Sequence, residues 1–79
     1  MMPDARDPAI VVDARGMLPP EPLERTLEGL DQLGSGETLL LIISRQPVPL
    51  FDMLEQNGYT YEVTTREDGA FGILIREAG

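Results

Sequence analysis

The chain has 79 residues, of which 42% are hydrophobic, and it carries a formal net charge of −8 at pH 7. This length suits one small domain with a thin core. The chain contains no cysteine and no histidine, which excludes disulfides, thiolate nucleophiles and metal sites built from either side chain. Its basic residues are arginines scattered along the sequence, so we expect neither nucleic acid nor a membrane surface as a partner.

The first residues differ in character from the rest. Residues 1–8 are polar and proline-containing with little to bury, which predicts a disordered lead-in, whereas residues 9–77 predict a single domain. The lead-in has no signal-peptide pattern, and the longest apolar run, residues 39–43, is too short to cross a bilayer. We therefore expect a cytoplasmic protein.

The first half of the domain predicts a strand followed by a helix. A β-branched run at residues 9–13 predicts the strand, and Gly16 permits a sharp turn after it. Two consecutive prolines, Pro19 and Pro20, predict the start of a helix over residues 20–33. Leucines spaced four and three residues apart predict the buried face of that helix, namely Leu23, Leu27, Leu30 and Leu33.

The second half predicts two more strands around a short helix, and a final strand. Residues 37–44 are apolar on both faces, which is typical of a central strand. A helix follows over residues 47–57. Residues 59–66 and 70–76 alternate between apolar and polar, and the Asp-Gly pair at 68–69 predicts a hairpin turn between them.

The order β-α-β-α-β-β predicts an α/β (α+β) two-layer sandwich. Right-handed crossovers place both helices on one face of a mixed four-stranded sheet, with the last strand antiparallel. The other face of the sheet is then open, and either Leu40 and Ile42 or their neighbours must point outward there. An open apolar face often marks an interface, so self-association or partner binding through it is one expectation.

The segment between the first strand and the first helix is the leading candidate for a binding surface. Its prolines remove N–H donors and Glu21 adds negative charge, so a simple anion is disfavoured at this helix N-terminus. A rigid segment loses less entropy on binding, which favours a protein partner. A purely structural turn, in which Arg15 pairs with Asp13 or Glu21, is the alternative. The predicted partner-binding residues are Asp13, Arg15, Met17, Leu18, Pro19, Pro20, Glu21, Pro22 and Arg45.

A second candidate is the sheet edge where the parallel strands end. Asp13, Arg15 and Arg45 would meet there, and they could bind a small acidic ligand or act in an enzyme, although a simple pairing of Arg45 with Asp13 is also possible. The acidic residues of the first helix lie opposite its leucines and indicate a solvated face. We expect no catalytic residue, no metal site and no cofactor.

One motif in this region resembles a known family. Asp-x-x-Gly-x-x-x-Pro-x-Pro is similar to the signature of the TusA-like, or SirA-like, sulfur-carrier family, and it lies here at Asp13, Gly16, Pro20 and Pro22. Gly-Glu-Thr at 36–38 also fits, and the resemblance extends over residues 10–76. It implies the same two-layer β-α-β-α-β-β fold. Family members carry a sulfur-accepting cysteine just before the first motif proline, and that position is Pro19 here.

Two further stretches resemble a cysteine-free branch of that family, known as a domain of unknown function. They are Leu-Pro-Pro at 18–20 and Pro-Val-Pro-Leu at 47–50. Members of the branch often carry histidines after the second strand, where this chain has Ser44, Arg45 and Gln46. The resemblance therefore implies a non-catalytic binding or adaptor domain, without sulfurtransferase activity and without a histidine-based metal or haem site.

Overall fold

The structure is a computed structural model that describes residues 7–78, so residues 1–6 of the predicted lead-in lie outside the described part. Its elements follow the predicted order, with ends shifted by at most two residues. They are β1 (Ile10–Asp13), α1 (Glu21–Asp31), β2 (Leu39–Ile43), α2 (Val48–Gln56), β3 (Tyr59–Thr65) and β4 (Phe71–Glu77). The predicted two-layer α+β fold is confirmed.

The sheet is mixed, with strand order β1-β2-β4-β3. β1 and β2 are parallel, and β4 is antiparallel to both of its neighbours. Because β4 lies between β2 and β3, these two strands run in the same direction. The predicted hairpin joins β3 to β4, with Thr65 opposite Phe71 and Gly69 in the left-handed region at φ 85°. The carboxyl ends of β1, β2 and β3 therefore lie at one edge of the sheet.

The core lies between the sheet and the two helices. α1 packs on β1 and β2, and α2 packs on β3, where the ring of Phe51 stacks on that of Tyr61 with 4.6 Å between centroids. The fully buried side chains of the sheet are Leu39, Leu41, Ile73 and Ile75, and Leu30, Leu50 and Leu54 cover them from the helices. Neither helix of the described part is long and apolar enough to span a membrane.

The predicted buried face of α1 is wrong for two of its four leucines. Leu30 is buried and Leu33 is half-buried, as predicted. Leu23 and Leu27, however, are 36% and 40% exposed. The face that contacts the sheet is therefore rotated away from the line of leucines.

Two small residues of α1 explain this rotation. Gly29 is buried, and a Cβ added to it would lie 2.5 Å from Leu39 Cδ1, so the helix backbone lies directly on the β2 side chain. Thr26 is also fully buried, and its Oγ1 donates a hydrogen bond of 2.8 Å to the Pro22 carbonyl oxygen. That bond satisfies the hydroxyl, so a polar residue can occupy the interface.

The open face of the sheet carries a short apolar row. Val11, Leu40 and Leu74 are opposite one another in register across β1, β2 and β4. Val11 is 55% exposed, Leu40 and Leu74 are half-buried, and Ile42 is buried on the same face. Of the two alternatives predicted for the open face, the structure therefore has Leu40 and Ile42 there.

Candidate functional site

The segment from β1 to α1 is held by hydrogen bonds at both ends. Ala14 is buried, and its N–H donates to the Ile42 carbonyl oxygen at 2.7 Å. Gly16 turns the chain at φ 82°, and the Met17 N–H donates to the Ala14 carbonyl oxygen at 3.2 Å. At the other end, the Glu21 N–H donates to the Leu18 carbonyl oxygen at 3.0 Å. We call residues 18–22 the proline segment.

The side chains of this segment differ sharply in exposure. Met17 is half-buried and packs against the core, so it holds the segment in place. Leu18 is 78% exposed, more than any other large apolar side chain of the described residues. Pro19 and Pro20 are exposed beside it, and the peptide bond between them is cis. The segment thus presents an apolar side chain to solvent from a backbone with little freedom.

Arg15, which precedes the proline segment, connects the end of β1 to the turn between β3 and β4. Its Nε and Nη2 donate to the two carboxylate oxygens of Asp13, at 2.9 and 2.7 Å. Its Nη1 donates to Asp68 Oδ2 at 2.7 Å. Asp68 also accepts from the Ala70 N–H at 3.0 Å and lies 3.9 Å from Arg66 Nε. Arg15 therefore holds Asp13 and Asp68 together at the carboxyl edge of the sheet.

These contacts shift the acidity of both aspartates. The hydrogen bonds from the Arg15 side chain are the main reason that the pKa of Asp13 falls from 3.8 to about 2. The hydrogen bond from the Ala70 N–H, followed by that from Arg15, lowers the pKa of Asp68. Hydrogen bonds from Arg15 to Asp13 and Asp68 raise the pKa of the guanidinium itself. Asp13, Arg15 and Asp68 are therefore ionised near neutral pH and hold the turn after β1 in place. We call these three side chains the bracing cluster.

A second feature is a hollow of about 350 Å³ between the N-terminal ends of the two helices. Leu41 and Ile43 of β2 form its floor, and Leu23 and Leu50 belong to its two walls. We call it the inter-helix hollow. Its complete lining is Pro19, Pro20, Pro22, Leu23, Leu41, Ile43, Arg45, Gln46, Pro47, Pro49 and Leu50.

Arg45 is the single charged residue of this lining. Arg45 comes shortly after the end of β2, and its side chain is exposed. No carboxylate of residues 7–78 lies within ion-pair distance of its guanidinium. The nearby backbone offers few free donors, because the N–H groups of Val48 and Leu50 already donate to the Gln46 and Pro47 carbonyl oxygens. Arg45 and Gln46 are the lining residues with polar side chains, so the side-chain polar contacts available to a molecule in the hollow come from these two.

The structure divides the predicted site residues among three places. Asp13 and Arg15 join Asp68 in the bracing cluster, whereas Arg45 lines the inter-helix hollow, so the three do not line one cleft. Pro19, Pro20 and Pro22 line the hollow with Arg45. Leu18 and Glu21 border a shallow depression on the solvent side of α1, together with Glu24, Arg25 and Glu28.

Sequence reasoning missed several residues of these places. Asp68 was assigned only to a turn, although that hairpin turn ends at the same sheet edge as β1. The hollow was also missed, and its one available signal was the repeated pair of prolines at each helix start, Pro20 and Pro22 and then Pro47 and Pro49. Among residues 7–78 there is no group of acidic side chains arranged to hold a metal ion.

Comparison with known proteins identifies a family and a related structure. Residues 11–77 match the family described as "Uncharacterized conserved protein (DUF2249)". The crystal structure of a SirA-like protein from Desulfitobacterium hafniense is similar, with a TM-score of 0.77 and 25% sequence identity. The alignment covers 89% of this chain and 99% of that one. No curated protein matches the chain. The chain therefore belongs to the DUF2249 family of uncharacterized conserved proteins and has a SirA-like fold.

Proposed function

We propose that this protein is a non-catalytic adaptor domain of the cytoplasm that binds a partner protein through the proline segment. The observation that carries the proposal is that Leu18 is 78% exposed between residues with little freedom. Met17 before it packs against the core, and the rings of Pro19 and Pro20 after it restrict the backbone. A fixed apolar side chain contributes to binding with little loss of conformational entropy. Solvent exposure of such a side chain has no benefit for the fold itself.

The residues around the proline segment support binding rather than catalysis. The chain has no thiol, and Pro19 stands where the resemblance to the TusA-like sulfur carriers implies the sulfur-accepting cysteine. Arg15 donates hydrogen bonds to both Asp13 and Asp68, so neither Arg15 nor Asp13 is available as an enzyme would require. In this role Arg15 positions the segment and does not contact the partner itself.

The surroundings of Leu18 indicate the charge of the partner. The depression next to Leu18 is bordered by Glu21, Glu24 and Glu28. Arg25 lies 3.9 and 3.7 Å from the carboxylates of Glu21 and Glu28, so it offsets only part of this negative charge. The matching surface should therefore be an apolar pocket with basic residues around it, and its association should weaken at high salt.

The open sheet face is the alternative location for an interface, either with a partner or with a second copy. Its most exposed apolar side chain is Val11, on the edge strand β1. The apolar row there is short, and Leu40 and Leu74 are already half-buried. We therefore favour the proline segment and use Val11 to test the alternative.

Site-specific photo-crosslinking tests the proposal. A benzophenone amino acid replaces Leu18 in one variant, Val11 in a second and Val63, 40% exposed on the edge strand β3, in a third. Each variant is irradiated in extract of the native cell, and adducts are identified by mass spectrometry. We expect a discrete protein adduct from position 18 alone. An adduct from position 11 alone, with a partner or with a second copy, would place the interface on the open sheet face.

A further inference from the structure

We infer that the inter-helix hollow is a binding site for a small organic carboxylate with an apolar body, and that Arg45 binds the carboxylate. This inference goes beyond the proposed function, because it concerns a small molecule and a hollow that shares three prolines with the proline segment but does not include Leu18. Leu18, which carries the proposed function, does not line the hollow. Either proposal can therefore fail while the other stands.

The shape and lining of the hollow suit the apolar part of such a ligand. Its volume of about 350 Å³ lies within the range of small-molecule sites. Proline rings and the side chains of Leu23, Leu41, Ile43 and Leu50 make up nearly all of its surface. Several of these are held by the core or by helix starts, so the hollow exists before a ligand binds and requires little reorganisation.

The charge of Arg45 determines the other part of the ligand. The chain carries a net charge of −8, yet no carboxylate of the described residues pairs with Arg45. By contrast, Arg15, Arg25 and Arg66 each lie within ion-pair distance of at least one carboxylate. A guanidinium binds a carboxylate through two parallel hydrogen bonds. Within residues 7–78, Arg45 is thus a guanidinium without an ion-pair partner, and it lies at an apolar hollow in an acidic protein.

Other anions fit the hollow less well. A phosphate or sulfate needs several donors, and the proline-rich helix starts leave few N–H groups for it. A carboxylate needs only the guanidinium, while Gln46 can donate one further hydrogen bond from its side chain. The apolar lining would also remain unused by a small inorganic anion.

Nuclear magnetic resonance of the ¹⁵N-labelled chain tests the inference with octanoate as the probe. We expect saturable shifts at millimolar octanoate for the amides of Leu23, Arg45 and Leu50, and much smaller shifts with acetate, which lacks the apolar body. Arg45→Gln should weaken octanoate binding roughly tenfold, because it removes a charge-assisted hydrogen bond. The same substitution should not change the binding of neutral octanamide.

Two further variants complete the test. Arg76→Gln is the matched control, because Arg76 is exposed on β4 and also has no ion pair among the described residues; it should leave octanoate binding unchanged. Leu23→Trp should fill the hollow and abolish the octanoate-induced shifts, while its spectrum remains that of a folded protein. Equal binding of octanoate and octanamide, equal weakening by Arg76→Gln, or shifts confined to another surface would overturn the inference.

Discussion

Arg15 and Asp68 are 53 positions apart in the sequence, and Nη1 of the arginine donates to Oδ2 of the aspartate at 2.7 Å. The same guanidinium binds Asp13 at the end of β1. The contact therefore links the edge strand β1 to the β3–β4 hairpin, across the end of β2, which lies between them. It fixes the residues that lead into the proline segment.

The first prediction concerns the pH dependence of this cluster. The pKa of Asp13 is lowered from 3.8 to about 2 in the folded chain, so its stabilising effect is complete above pH 3.8 and is lost as the pH falls through about 2. In urea unfolding, Asp13→Asn should be less stable than the unmodified chain at pH 7, and this difference should shrink as the pH approaches 2.

A control separates this effect from the loss of one negative charge. Asp31→Asn removes an exposed carboxylate of α1 that makes no ion pair within the described part of the chain. It should not reproduce the pH-dependent difference. A destabilisation by Asp13→Asn that is the same at pH 7 and at pH 2 would show that Arg15 does not act through the ionised carboxylate.

The second prediction concerns the close approach of α1 to β2. Alanine favours a helix over glycine by about 1 kcal/mol, but the Cβ of Gly29→Ala would lie 2.5 Å from Leu39 Cδ1. We expect Gly29→Ala to lower the free energy of unfolding by about 1–3 kcal/mol, because overpacking outweighs helix propensity. In a Leu39→Val background the same change should cost less, as measured by a double-mutant cycle. Equal cost in both backgrounds would argue against the close contact.

The third prediction separates the leucines of α1. Leu30 is 5% exposed, and Leu30→Ala should lower the free energy of unfolding by about 2–5 kcal/mol. Leu27 is 40% exposed, so Leu27→Ala should cost about 1 kcal/mol or less. Urea midpoints of the two variants provide the comparison. If Leu27→Ala lowers the free energy of unfolding as much as Leu30→Ala does, Leu27 must also pack against the sheet.

The fourth prediction concerns sulfur. Persulfide formation requires a thiolate, and the chain has no cysteine. Incubation with a cysteine desulfurase and labelled cysteine should therefore leave the intact mass unchanged. Pro19→Cys serves as the control, because it supplies a thiol at the position where the resemblance to the TusA-like sulfur carriers implies a cysteine. A stable sulfur adduct on the unmodified chain would refute the assignment as a non-carrier.

The elements of the fold could be predicted because their signals are local. The apolar run at residues 39–43 and the Asp-Gly turn at 68–69 each specify a structure within a few residues. The strand order was not predictable in this way, since alternation in β4 does not show that it inserts between β2 and β3. The face of α1 depends on Gly29, whose missing side chain has no hydrophobic signal of its own.

The candidate sites were predicted less completely, because they depend on packing between distant elements. The rigidity of the proline segment could be predicted, because its prolines are visible in the sequence. The pairing of Arg15 with Asp68 requires knowing that the hairpin ends beside β1. The inter-helix hollow arises only when the starts of α1 and α2 are placed over Leu41 and Ile43.

The most direct measurement of the central claim is partner capture from native extract by single-residue variants of the full chain. Leu18→Ser should abolish capture and leave the thermal midpoint nearly unchanged, because the side chain is 78% exposed. Val11→Ser, on the open sheet face, should retain capture. Full capture by a folded Leu18→Ser variant, together with its loss in Val11→Ser, would contradict the assignment of the binding surface to the proline segment.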